Sequence, residues 1–174
     1  NTKYYYYLKD HLGSVRAVMD GSFGTTVQAQ DYEAWGDIFR TYTSDDISQN
    51  KFTSKERDVE TGYDYFGARY YDSKVGNWLS PDPLFEKHIG WSPYNYVLRN
   101  PYMLIDPDGK QIDFSKLSSQ YQKAIIEDLF IITGYSFNVN SQGYLKIDRT
   151  KSEVFGNSST TANDFANEID SYRS

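Results

Sequence analysis

The chain has 174 residues, 24% of them charged, with a net charge of −6, no cysteine and two histidines. That length suits one ordinary domain or two small ones, and the acidic balance argues against a nucleic-acid-binding surface, which is normally basic. Without cysteine there is no disulfide framework and no thiolate metal site, and no apolar run approaches the roughly 18 residues of a membrane-spanning helix.

The chain opens "NTKYYYYLKDHLG", which reads as mid-strand, as in a piece excised from a longer protein, and no signal peptide is expected. Residues 1–109 hold 21 of the 30 aromatic residues and the remaining 65 residues hold nine, so the two parts are expected to differ in architecture. Aromatics favour strands, where a ring covers one pleated face and a tyrosine hydroxyl still reaches water. Strand-like runs follow in order: "KYYYYL", "SVRAVM", "TTVQAQDYE", "IFRTYT", "YDYFGARYYD", "NWLS" and "YNYVL". Turn signals separate them, among them "HLGS", "MDGSFG", "AWGD", "ETGYD", "DSKVGN", "RNP" and "DPDG". Strands at about ten-residue spacing predict an antiparallel, hairpin-rich sheet over about residues 4–105. "VMDGSFGTTVQA" is a hairpin whose turn starts at Asp20-Gly21.

Past "DPDGK" the pattern changes. In "FSKLSSQYQKAIIEDLFIITG", Leu117, Tyr121, Ala124, Ile125, Leu129 and Ile132 fall at helical spacing, with Ser115 as its cap and Gly134 as its end. "YSFNVNSQGYLKID" predicts a hairpin around Ser141-Gln142-Gly143. "NSSTTANDFANEIDSYRS" predicts a second amphipathic helix with Phe165 and Ile169 on its buried side. The expected class is therefore α+β: an antiparallel β core over residues 1–110, then a small α-β-β-α unit over residues 111–174.

The first region resembles the Rhs repeat-associated core domain of the Rhs/YD-repeat toxin family. The resemblance runs collinearly over about residues 4–110, through "YYYYLKDHLGSVRAVMD", "DYEAWGDIF", "KFTSKERDVETGYDYFGARYYDSKVGNWLSPDP" and "YNYVLRNPYMLIDPDGK". Several motifs in register carry more weight than any one short pattern. The resemblance implies a shell of β-hairpins, closed by this core, around a variable C-terminal toxin. It also implies self-cleavage just after the closing motif, between Lys110 and Gln111, by two aspartates that share one proton. Matched to the two Asp-Pro motifs, the catalytic pair is Asp82 and Asp106, with Asp108 as an alternate and Arg69 in support. Lys110 stands where the family usually has leucine, and Asn77 where a basic residue is common.

The implied partners are upstream Rhs/YD repeats, a secretion or delivery machinery and an immunity protein for the C-terminal segment, in a bacterial protein exported to the surface or medium for competition between bacteria. Exposed strand edges also imply self-association of the fragment. No cofactor and no metal are expected. Residues 111–174 contain no histidine and no phosphate loop, and Glu127 and Asp128 read as a solvated helix face. His11 reads as a structural hydrogen-bonding residue in a strand-end turn, and His88 stands alone. Glu56 and Arg57 read as a surface charge cluster. A bland reading stays open beside the catalytic one: Asp-Pro is a common turn former, and the core can be a plug without protease activity.

Overall fold

The computed structural model describes residues 3–42, 47–87 and 91–148. Two four-stranded antiparallel meanders come first. One runs β1 (Tyr5–Lys9), β2 (Val15–Asp20), β3 (Thr26–Tyr32) and β4 (Ile38–Thr41). The other runs β5 (Glu56–Arg57), β6 (Asp64–Tyr65), β7 (Tyr70–Asp72) and β8 (Asn77–Trp78). Helix α1 (Ser119–Thr133) and the hairpin β9 (Phe137–Val139) and β10 (Leu145–Ile147) follow. The described residues are thus mostly antiparallel β with one helix, as the strand pattern predicts. The expected second helix lies outside the described residues.

The β2–β3 turn forms as expected. Gly24 N–H donates to the Asp20 carbonyl at 2.8 Å, and the Asp20 carboxylate accepts Ser22 N–H at 2.7 Å. The run "YDYFGARYYD" departs from expectation, because it is not one strand. It folds back at Gly67, whose φ is +100°, and gives the short hairpin β6–β7. "YNYVL" also departs. Only Asn95 bridges to Asn77, and Val97–Arg99 then close a single turn in which all three φ values are positive. Left-handed backbone at non-glycine residues costs roughly 1 kcal/mol or more each, so surrounding packing must hold it. That packing is visible, since Tyr96, Val97 and Leu104 are all buried.

Aromatic rings make the core. Phe52, Phe66, Tyr71, Trp78 and Tyr96 pack on one another, with Tyr71–Tyr96 centroids at 4.4 Å and Phe66–Trp78 at 5.0 Å. Gly36, at φ +92°, lies flat on the Phe52 ring; a Cβ there would sit 2.4 Å from Phe52 Cγ. The two meanders are tied by the segment between them: Val15 N–H donates to the Lys51 carbonyl at 3.0 Å, and Ser48 N–H to buried Gln28 at 2.9 Å.

Arg57 corrects the surface-cluster expectation. It is bidentate to Asp64, at 2.8 and 2.6 Å, and also donates to the Gly36 carbonyl at 2.9 Å. Asp64 is fully buried, while Glu56, next to Arg57 on β5, is exposed. The burial arises because β6 turns Asp64 inward and its neighbour Tyr65 outward.

Helix α1 starts at Ser118, whose side chain accepts Tyr121 N–H, not at Ser115. Ser115 N–H instead donates to Asp113 at 2.7 Å. Gly134 ends the helix in the left-handed conformation, as expected. Ile125, Ile126 and Leu129 face the core, whereas Tyr121 and Ile132 are exposed. The hairpin β9–β10 forms around Ser141-Gln142-Gly143 as expected.

Removing the Arg57 guanidinium leaves a buried, unpaired carboxylate. Arg57→Met should therefore destabilise the chain by about 3–5 kcal/mol in denaturant unfolding. A loss below about 1 kcal/mol would mean the pair is solvated.

Candidate functional site

Three separate stretches of chain converge on one arginine. Arg69 sits at the end of the Gly67 turn, immediately before β7. Its guanidinium lies over the Trp78 ring, 4.1 Å from the centroid, and its side chain is almost wholly buried. Stacking on an aromatic face suits the weakly hydrated, planar guanidinium better than it would an ammonium.

Asp82 and Asp106 reach the same nitrogen of that guanidinium. Arg69 Nη2 lies 3.3 Å from Asp82 Oδ2 and 3.4 Å from Asp106 Oδ2. Arg69 Nη1 donates to the Pro93 carbonyl at 3.1 Å, and Nε to the Gly109 carbonyl at 2.5 Å. Both aspartates are buried. The expected trio is thus brought together, in a more particular arrangement than a bare carboxylate pair: a buried cation stands against both acids.

Each aspartate also organises its own turn. Asp82 Oδ1 accepts Leu84 N–H at 2.7 Å. Asp106 Oδ1 gathers the N–H groups of Asp108, Gly109, Lys110 and Gln111, at 3.3, 2.8, 3.1 and 3.3 Å. Asp108 Oδ1 shares two of these, accepting Lys110 N–H at 3.0 Å and Gln111 N–H at 3.2 Å. Gly109 permits the tight fold at φ +74°, and a Cβ there would meet Arg69 N at 3.2 Å and Phe66 Cβ at 3.3 Å. The Gln111 nitrogen, one half of the expected scissile bond, therefore lies against both Asp106 and Asp108. Lys110 is exposed, which leaves its side chain in water.

Burial pushes the Asp106 carboxyl up, from its ordinary 3.8 to about 7. Arg69 and the converging N–H groups pull the other way, and Asp108 adds to the rise. Burial likewise holds Arg69 below its ordinary value, against the pull of Asp82 and Asp106. A carboxyl that carries its proton near neutral pH beside a second carboxylate is the usual setting for acid–base work.

Two contributors were not read from the sequence. Lys55 Nζ donates to the Pro107 carbonyl at 2.6 Å, and Trp78 supplies the face beneath Arg69. Lys55 lies 52 positions from Pro107 in sequence and carries no local signal. Trp78 stands within "NWLSPDP", where its nearness to Asp82 was the available cue. His11 Nε2 sits 2.9 Å from the Tyr102 carbonyl, in line with the structural reading, and His88 lies outside the described residues. Glu127 is exposed and pairs with Lys123 one helical turn away at 3.5 Å, and Asp128 is exposed too.

Residues 1–105 match the family model described as the teneurin YD-shell. The chain is 38% identical over 117 residues to the tRNA(Glu)-specific nuclease WapA of Bacillus subtilis subsp. natto (strain BEST195), which covers 64% of this chain and 5% of WapA. It is 30% identical over 142 residues to toxin subunit YenC1 of Yersinia entomophaga, covering 79% of this chain and 14% of YenC1. That share is more than residues 1–110 alone can supply. Among solved structures, the crystal structure of TcdB2-TccC3 superposes with a TM-score of 0.56 at 32% identity, over 63% of this chain and 5% of that one. The chain thus spans a small fraction of each of these relatives. Among the described residues, no helix is long and apolar enough to cross a membrane.

The raised Asp106 value fixes the sign of a pH effect. Between about pH 4 and 7 the folded chain keeps a proton that the unfolded chain has lost. Asp106 therefore contributes less stability as pH rises through that window. Denaturant unfolding of wild type and Asp106→Asn at pH 4.5 and 7.5 checks this. The wild type should lose stability relative to the variant at the higher pH, and a constant difference would place the Asp106 titration outside the window.

Proposed function

The chain belongs to the teneurin YD-shell family, and we propose that it is the closing segment of an Rhs/YD-repeat toxin that cuts itself after "DPDGK", between Lys110 and Gln111. The boundary between carrier and cargo then falls at residues 110 and 111. The observation that carries the reading is the convergence of Asp82 and Asp106 on Arg69, with the Gln111 nitrogen 3.3 Å from Asp106 Oδ1.

In this reading Asp82, paired with Arg69, is the base and takes a proton from a water that attacks the Lys110 carbonyl carbon. Asp106 begins protonated and gives its proton to the Gln111 nitrogen as the C–N bond breaks. Arg69 fixes the preceding residue through the Gly109 carbonyl and so holds the scissile bond in place. The products are a carboxylate on Lys110 and an amine on Gln111. Asp108, which also faces the Gln111 nitrogen, is the alternate acid.

Export, a delivery machinery, upstream repeats, other shell components and an immunity protein for the segment past residue 110 belong to the same proposal. They rest on the kinship with WapA, YenC1 and TcdB2-TccC3. One observation favours a second reading. Both aspartates already satisfy local backbone N–H groups as ordinary turn formers do, so the trio can act as a clasp that closes the shell without chemistry.

Intact mass and N-terminal sequencing of the full-length protein separate the two. Wild type should be cut at Lys110–Gln111, and Asp82→Asn or Asp106→Asn should leave at least 90% of the chain whole. Wild type that stays intact in its full-length context assigns the aspartates to the clasp.

A further inference from the structure

We propose that Lys55 is a positioning residue for the cut: it completes a grip on the Asp106–Gln111 loop that, of the carbonyls from Pro107 to Lys110, leaves only that of Lys110 open to attack. The proposal rests on the cleavage reading above, and its geometry rests on contacts which that reading does not use.

The loop is held along both edges. On one edge, the Asp106 and Asp108 carboxylates take the N–H groups of Lys110 and Gln111. On the other, successive carbonyls each meet a donor from residues 55–69. Lys55 Nζ donates to the Pro107 carbonyl at 2.6 Å, Ala68 N–H to the Asp108 carbonyl at 3.1 Å, and Arg69 Nε to the Gly109 carbonyl at 2.5 Å. The next carbonyl is that of Lys110, the one a water must reach. Among the described residues no donor meets it. Attack turns a planar carbonyl carbon tetrahedral, so the reacting unit needs room while its neighbours stay still.

Lys55 is aimed by a strained, well-pinned turn. Thr53 and Ser54 are left-handed, at φ +45° and +60°, a conformation that costs both residues and needs outside support. Thr53 N–H donates to the Ser14 hydroxyl at 3.1 Å, and the Ser54 hydroxyl to the Gly13 carbonyl at 2.6 Å. Lys55 is fixed at both ends of its own backbone. Its N–H donates to the Phe52 carbonyl at 2.8 Å, and its carbonyl accepts Lys51 N–H at 2.7 Å. The half-buried side chain crosses Phe66, with Nζ 5.3 Å from the ring centroid, to reach Pro107. A long apolar stem with a compact charged tip suits that path. Proline fixes its own φ, so holding its carbonyl sets the direction in which the loop leaves Asp106. Lys55 thus acts on the scissile bond through the loop and not on the reacting atoms.

The test is a time course of self-cutting in the full-length protein, read by intact mass. Lys55→Met should slow the cut roughly 100-fold, the scale of a small misplacement of reacting groups. Lys55→Gln serves if Lys55→Met does not fold. The 174 residues contain no cysteine, so Lys55→Cys treated with 2-bromoethylamine rebuilds a lysine-length ammonium at that position. Untreated, this variant should be as slow as Lys55→Met; treated, it should cut within about threefold of wild type, while treated Lys55→Met stays slow. Cutting of Lys55→Met at the wild-type rate overturns the proposal, and so does a failure of the rebuilt ammonium to restore the rate. Wild type that stays whole overturns the cleavage reading instead. The grip is then read by amide hydrogen exchange in the same protein. Lys55→Met should speed exchange at Lys110 and Gln111 at least tenfold, and unchanged exchange at both overturns the grip as well.

Discussion

A buried guanidinium is costly, and Arg69 is tolerable only because its surroundings answer it on every side. Removing such a cation from water costs several kcal/mol even after relaxation, so each donor needs a partner. Nε and Nη1 take the Gly109 and Pro93 carbonyls, Nη2 takes both Asp82 and Asp106, and the flat face lies on Trp78. Lysine offers neither the fork of donors nor the stacking plane. The Gly67 turn, the Asp82 loop and the Asp106–Gln111 loop therefore have to arrive together. Burial has a second effect. It raises the Asp106 carboxyl to about 7 against the pull of Arg69, so that this acid holds its proton up to near neutral pH. The clasp and the proposed chemistry thus draw on the same constraint.

The first meander was legible because its turns announce themselves. Asp20-Gly21 and the alternation in β2 and β3 act locally, and local physics suffices there. "YDYFGARYYD" was read as one strand because its aromatics look continuous, while the reversal rests on the single Gly67 at φ +100°. The left-handed turns at Thr53 and Val97–Arg99 contain no glycine, so nothing local requires them, and burial of Phe52, Tyr96 and Val97 imposes them. Arg57 was misread for the same reason: its partner Asp64 is buried by the fold, not marked by the pattern. Along α1, spacing found Ile125 and Leu129 but not which flank would be covered, so Ile126 was missed while Tyr121 and Ile132 stand exposed.

The site was legible in a different way. Asp82, Asp106 and Arg69 came from ordered motifs, since no local rule distinguishes a turn-forming aspartate from a reactive one. What the sequence did not show is that both acids meet at a single nitrogen, or that Lys55 and Trp78 brace them. The drop in aromatic density past Gly109 is real, yet it does not mark a break in packing. Phe114 and Phe137 continue the core that Phe66 and Leu104 begin. Composition reports which elements form, and packing reports which elements belong together.

One buried arginine holds the Asp82 and Asp106 loops as a unit. Amide hydrogen exchange in Arg69→Met tests it most directly, read at Leu84, whose N–H is held by Asp82, and at Gly109, whose N–H is held by Asp106. Both amides should lose protection together, by a similar factor, while core amides in β2 and β3 keep theirs. Loss at one of the two with the other unchanged would show that the loops are independent and would contradict the account.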